Sequence, residues 1–303
     1  MIEYRLQTFI TLYNTRSYTK TAQILSMTQP AVSQHIKTLE AYYKVPLVNY
    51  KNRILDITPE GHMLYKYALT AERNAAKIKE LLENKSFETT LLKLGVLPTI
   101  GEGVLQRILS SYIKDFPDTE VHIFHGNDKF LEKLLINGTI DAAIVTNHFP
   151  LENYSSSLLF YDETICVCSS ENPLAGQTVS FDDLKNEPLI LNYYGSEVNQ
   201  NLDRILKKYA YSIEDFRHPI YLGNLSSIKE HLSYGSGFTF LYLTICENQI
   251  NSGQFSKIYV KNFYSLHSYY YCYLKDHLLE KQYQEFYNYS KRIISETSNK
   301  RGY

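Results

Sequence analysis

Two short helices joined by a tight turn, read between Ser17 and Glu40, constrain this chain more than any other segment. Ser17 has the chemistry of an N-cap for the first helix, which carries Ala22 and Leu25 inward, and Ser26-Met27 makes the turn. Thr28 caps the second helix, where Pro30 is tolerated because the first helical turn has spare N–H groups. Ala31, Val32, Ile36 and Leu39 fall on one face of that helix, and Gln29, Ser33, Gln34 and Lys37 on the other. The pattern is a helix-turn-helix whose second helix offers amides, hydroxyls and a cation at the end that enters a DNA major groove. A short hairpin pattern follows, ending at Asp56-Ile57-Thr58-Pro59-Glu60-Gly61. Ahead of the motif, Leu6, Phe9, Ile10 and Tyr13 predict a further helix.

The run Ser-Tyr-Thr-Lys-Thr-Ala-Gln-Ile-Leu from Ser17, then Thr-Gln-Pro-Ala-Val-Ser-Gln-His-Ile-Lys-Thr-Leu-Glu from Thr28, then Val45-Pro-Leu and Leu55-Asp-Ile-Thr-Pro-Glu-Gly, resembles the N-terminal domain of LysR-type transcriptional regulators. The match runs from about Tyr4 to Gly61 and departs from the family at three places: Lys44 stands where Gly is usual, and Val48 and Tyr50 where the wing has Phe and Arg. Lys51 and Arg53 then inherit the wing's contacts with the DNA backbone. The resemblance implies binding to double-stranded operator or promoter DNA, with Gln29, Pro30, Ser33, Gln34, Lys37 and Arg53 as the contact residues. Gln29 suits the N6/N7 edge of adenine, and Lys37 and Arg53 suit phosphates.

The chain has 303 residues, 44% of them apolar, enough for two or three packed units. No run approaches the ~20 apolar residues of a membrane span, and the N-terminus lacks the pattern of a signal peptide, so a cytoplasmic protein without a membrane partner is expected. Residues 1–60 carry seven basic and four acidic side chains against a net charge of -1 for the whole chain, which suits a DNA-binding head on an acidic body. The cysteines, Cys166, Cys168, Cys246 and Cys272, lack metal spacing and read as buried thiols. Twenty-eight tyrosines, with abundant Asn, Ile and Lys, reflect an AT-rich genome rather than a binding code.

Thr58 and Pro59 open a long helix in which Leu64, Ala68, Ala71, Ala75, Ile78 and Leu82 form a narrow apolar seam. The seam reads as a dimerisation arm; the alternative is a helix packed on its own domain. Asn84 to Glu88 reads as a linker. Beyond Leu91 strands alternate with helices: strands at 91–97, 120–125, 140–145, 189–192, 220–222 and 238–241, with helices at 103–115, 128–137, 196–209, 226–234 and 279–294. That alternation predicts an α/β fold with a mostly parallel sheet. Leu92-Lys-Leu-Gly-Val-Leu-Pro-Thr-Ile-Gly-Glu, Gly223-Asn-Leu-Ser-Ser-Ile-Lys-Glu and Gly235-Ser-Gly-Phe-Thr-Phe-Leu resemble the effector domain of the family's CysL/CbbR-like branch. The implied architecture is a winged helix-turn-helix over 1–58 (helix-turn-helix about 18–37), a linker helix and hinge over 59–88, and an effector-binding domain over 89–303. That domain is expected to have two lobes like those of periplasmic binding proteins, one at about 91–162 and 266–295 and the other at about 163–265.

Ligands of open α/β sheets bind beyond the carboxyl ends of the strands. Pro98, Thr99, Ile100, Asn127 and Thr146 hold that position, and the resemblance adds Ser196, giving an effector site between the lobes for a small polar molecule. Thr99 and Glu102 also have capping-box spacing, so Thr99 has a second reading as a helix cap. Relatives often carry Arg at the place of Asn192 and near Gly195; here Tyr193 and Tyr194 stand beside the turn, which disfavours a strongly anionic effector. No nucleophile elbow or phosphate loop is present, and His122 and His125 lack a metal-binding context, so no enzyme, metal or cofactor is expected. The resemblance implies a homodimer that assembles further into a homotetramer.

Overall fold

A computed structural model describes residues 4–51, 54–83, 91–101, 103–194, 196–275 and 279–299. Arg53, the expected linker at 84–88, Glu102 and Gly195 lie outside the described residues. The chain forms two compact units: Met1–Thr90 with the segments Ile136–Thr139 and Leu274–Glu280, and Leu91–Leu135 with Ile140–Tyr273 and Lys281–Tyr303.

The first unit holds α1 (Tyr4–Thr15), α2 (Tyr18–Ile24), α3 (Gln29–Tyr43), the antiparallel wing strands β1 (Val48–Lys51) and β2 (Ile54–Ile57), and α4 (Pro59–Glu83). Leu6, Phe9, Ile10, Leu12, Ile36, Leu39, Leu47, Leu55 and Ile57 make its core. Ser17 caps α2 by accepting from Lys20 N, and Thr28 caps α3 by accepting from Ala31 N. The turn between them is a Schellman closure: Met27 N donates to Ala22 O at 2.8 Å and Ser26 N to Gln23 O at 3.3 Å, with Ser26 at φ 52°. Lys44, at φ 58° and ψ 31°, ends α3 in the left-handed conformation that glycine adopts without strain. Glu40 on α3 holds the start of the wing by accepting from Leu47 N at 2.8 Å and Val48 N at 3.3 Å.

α4 begins as its sequence dictates, with Gly61 N donating to Thr58 Oγ1 at 2.9 Å. Gly61 is required by space: a Cβ there would lie 2.3 Å from Leu47 O. The apolar seam divides. Leu64 and Ala68 pack into this unit's own core, Ala71 and Ala75 are half-buried, and Ile78 and Leu82 are 44% and 70% exposed, as are Met63 and Tyr67 at 74% and 60%. The packed-on-its-own-domain reading therefore holds for the first two positions and not for the last two. The α1–α4 junction is aromatic: Tyr13 stacks on Tyr65 at 3.5 Å between centroids and hydrogen-bonds His62 Nδ1 at 2.7 Å.

The second unit is built on an eight-stranded mixed sheet. Its path is β4 (Glu120–His125), β3 (Leu91–Val96), β5 (Ala142–Thr146), β12 (Leu266–Leu274), β6 (Tyr154–Ser169), β11 (Phe255–Val260) and β7 (Thr178–Val179), and β10 (Phe238–Tyr242) also pairs with β6. β3 is parallel to β4 and β5, whereas β6 is antiparallel to β10 and β11. β8 (Ile190–Asn192) and β9 (Ile220–Leu222) form a separate parallel pair. Helices α5 (Pro98–Gly101), α6 (Val104–Asp115), α7 (Asp128–Ile136), α8 (Phe181–Leu184), α9 (Glu197–Lys207), α10 (Leu225–Ser233), α11 (Leu243–Asn251) and α12 (Glu280–Asn299) complete the chain.

β6 runs from Tyr154 to Ser169 without a break, and Thr164 N donates to Ser265 O at 2.8 Å just before β12. In the second lobe β6 is buried on both faces. Cys166 and Cys168 join Phe238 and Phe240 in one cluster, while Ile165 and Val167 join Ile228, Leu232 and Ile245 in another. The period-2 alternation of a strand sorts them so. All four cysteines are free and buried. Burial pushes Cys168 up to about 11 and Cys246 to about 12, and raises Cys166 and Cys272, so these thiols stay protonated.

Candidate DNA-reading helix and effector cavity

α3 separates its faces cleanly. Val32, Ile36 and Leu39 are buried; Gln29, Pro30, Gln34 and Lys37 are exposed and Ser33 is half-exposed on the opposite side. Helical spacing of three and four residues aligns these five along one stripe. His35 is held on α1 instead, its Nδ1 2.9 Å from Thr8 Oγ1, which already donates to Tyr4 O. The ring is therefore spent on packing and the groups left free for a base edge are amide and hydroxyl.

In the second unit a cavity of about 20 Å³ opens beneath α9. Its polar lining is Thr99, Thr164, Asn201 and Tyr242; its apolar wall includes Leu202, Ile205, Leu241 and Ile245. Neutral groups stand in and around it: Asn201 Nδ2 donates to Tyr242 OH at 3.1 Å, the Tyr242 and Tyr269 rings meet edge-on at 6.0 Å, and Tyr269 OH lies 3.4 Å from Thr99 Oγ1. Burial pushes Tyr242 up to about 12 and raises Tyr269 as well, so both hydroxyls keep their protons. His267 packs between these rings at 5.0 Å from each, and burial, with His148 nearby, lowers it to about 4; it is neutral at physiological pH.

Contacts of α6 and β6 with α11 flank the cavity. Asp162, 3% exposed, accepts from Thr244 N at 3.3 Å and from the Thr244 hydroxyl. Arg107 on α6 pairs with Glu247 on α11 at 2.7 Å. Gly103 lies so close that a Cβ there would stand 2.5 Å from Thr244 O. On another edge Arg204 Nη1 lies 3.1 Å from His148 Nε2.

Of the six residues expected at the effector site, Thr99 alone lines this cavity. It is no helix cap: it sits inside α5, and α6 has Gly103 as its N-cap. Pro98 is exposed and Ile100 is 2% exposed. Asn127 accepts from Phe130 N at 2.9 Å and Ser196 from Asn199 N at 3.2 Å, both as N-caps. Thr146 donates to Asp128 Oδ2 at 3.3 Å and accepts from His148 N. Tyr193 and Tyr194 stand 56% and 83% exposed, with Tyr194 edge-on to Tyr221. His122 pairs with Glu120 at 2.5 Å. Sequence reasoning missed Asn201, Tyr242, His267 and Tyr269. Tyr242 was within reach, because it ends β10 where the strand-end rule applies. The other three sit on a helix face and on β12, which the alternation did not reveal.

Residues 86–293 match the LysR substrate binding domain family, and residues 4–62 match the bacterial regulatory helix-turn-helix proteins of the lysR family. The chain is 27% identical over 245 residues to the "Probable RuBisCO transcriptional regulator" of Trieres chinensis, covering 78% of each chain. It is 26% identical over 261 residues to the HTH-type transcriptional regulator CysL of Bacillus subtilis, covering 85% of this chain and 86% of that one. Among solved structures, the full-length regulator LysG of Corynebacterium glutamicum with bound effector Arg superposes with a TM-score of 0.64 at 14% identity, covering 96% of this chain and 98% of that chain. A helix-turn-helix with a polar recognition face, joined to a two-lobed α/β domain and matched over both parts, makes the chain a member of the LysR family of transcriptional regulators, with a DNA-binding and an effector-binding domain.

Proposed function

We propose that this regulator reads its operator with the exposed stripe of α3 and responds to a small uncharged effector held between the lobes of its second unit. The observation that carries the DNA-reading half is the stripe itself: Gln29, Ser33 and Gln34 are free to meet base edges while Pro30 seats the helix N-terminus. Lys37 and Arg53 meet phosphates, which sets the salt dependence of binding. Two copies pair through the far end of α4, where Ile78 and Leu82 are exposed on the seam begun by Leu64 and Ala68. Pairs of dimers form a homotetramer. The chain works in the cytoplasm and binds its effector without transforming it.

In the effector half, Thr99 contacts the ligand directly. Pro98, Asn127 and Thr146 border the site at the strand ends, and the buried Ile100 and Ser196 support it through backbone and cap. A ligand changes operator affinity only if it prefers one arrangement of the lobes. Thr99→Val removes one hydroxyl at nearly constant volume. In a reporter strain carrying the regulator and its target promoter, the variant is expected to lose the inducer response and keep basal operator binding. A variant that still responds like the wild type would put the effector elsewhere.

A further inference from the structure

We propose that the cavity beneath α9 is the subsite for one uncharged hydrogen-bonding group of the effector, a hydroxyl or a primary amide, received by Thr164 and Asn201. The proposal rests on the reading that the effector binds between the lobes and specifies which functional group it must carry.

Thr164 lines the cavity and is 5% exposed, and its Oγ1 has no hydrogen-bond partner among the described residues. A buried hydroxyl left unpaired is costly, and native proteins rarely keep one without a use. The neighbouring polar groups are already spoken for in part: Asn201 donates to Tyr242, and Thr99 Oγ1 lies 3.4 Å from Tyr269 OH. Thr164 is therefore the group a ligand can satisfy. The cavity's size selects the group. About 20 Å³ is room for a water or two, not for a ring, so the body of a larger effector stays outside.

Charge selects against ions. No Asp, Glu, Lys, Arg or His lines the cavity among the described residues. The carboxylate of Asp162 acts on Tyr242 from close by, and its negative charge opposes a carboxylate or phosphate there. Leu202, Ile205, Leu241 and Ile245 offer a cation nothing to pair with. An ion moved into such a site would lose its hydration without compensation. A neutral hydroxyl or amide loses less and gains Thr164.

Two soaks of crystals of the full-length protein test this with probes small enough for the cavity, methanol and sodium formate. The expected result is methanol in the cavity with its hydroxyl on Thr164 Oγ1, and no formate there. Thr164→Val, which keeps the fold because it removes an unpartnered atom, should lose the alcohol while melting no lower than wild type, and Thr164→Ser should retain it. Formate bound in the cavity as well as methanol, or methanol retained by the valine variant, would overturn the subsite. Methanol found between the lobes but outside the cavity would overturn the subsite and leave the interlobe reading standing. Neither probe anywhere between the lobes would overturn both.

Discussion

Gly103→Ala is the sharpest test of how α6 is fastened to α11. The added Cβ would lie 2.5 Å from Thr244 O and 3.0 Å from Thr244 C, where ordinary contact begins at 3.4 Å, so about 0.9 Å must be found. The obstacle is backbone, and Thr244 cannot retreat without loosening its two hydrogen bonds to Asp162. The Arg107–Glu247 pair, one helical turn further along both helices, opposes the same separation. Overpacking of this kind costs roughly 1–3 kcal/mol. For a domain of this size, ~2 kcal/mol lowers the melting temperature by about 4–8 °C. The assay is thermal unfolding of the full-length protein followed by circular dichroism, with Gly223→Ala as the control. Gly223 has open space around its Cβ position and no left-handed backbone, so that variant should stay within ~0.5 kcal/mol of wild type. If Gly103→Ala melts with the control, the close approach is not a constraint and the fastening reasoned from it fails.

Three further outcomes follow from the geometry. Ala71→Glu puts a charge into the half-buried middle of the α4 seam and should convert dimer to monomer in light scattering while the effector domain melts unchanged; a tight dimer would show that the seam serves only its own domain. Lys44→Gly removes a side chain from a left-handed cap and should stabilise the DNA-binding unit by ~1 kcal/mol, read as an upward shift of its own melting transition. His267 is neutral in the fold down to about pH 4 but titrates near 6.5 when unfolded, so the unfolded state takes up the proton first and stability falls as pH drops from 6.5 towards 4. The loss should approach ~3 kcal/mol, and urea titrations of His267→Phe should show a flatter profile over that window.

The sequence was most legible where local chemistry dictates structure. Ser17, Thr28 and Thr58 cap the helices their side chains suggested, and β4 and β9 span the residues that alternation indicated. The second unit was read as alternating strands and helices, yet β6, β7, β11, β12, α8 and α11 escaped. The start of β6, Tyr-Ser-Ser-Ser-Leu-Leu, lacks alternation because its burial changes as it passes between lobes. β12, Leu-His-Ser-Tyr-Tyr-Tyr-Cys-Tyr-Leu, was masked by a composition rich in tyrosine. Those two elements supply Thr164, His267 and Tyr269, so the cavity was hidden with them. Its polar lining comes from α5, β6, α9 and β10, a convergence that no spacing within one segment encodes.

The central claim is that α3 reads sequence with Gln29. Fluorescence anisotropy against an operator selected from random-sequence DNA, and against scrambled DNA at the same salt concentration, measures it directly. Losing a bidentate base contact costs roughly 1–3 kcal/mol. Gln29→Ala should therefore weaken operator binding by about 10- to 100-fold, relax preference at one position per half-site, and leave scrambled DNA unaffected. Equal weakening on operator and scrambled DNA would contradict the claim, because it would make Gln29 a backbone contact and leave the reading of the operator to other residues.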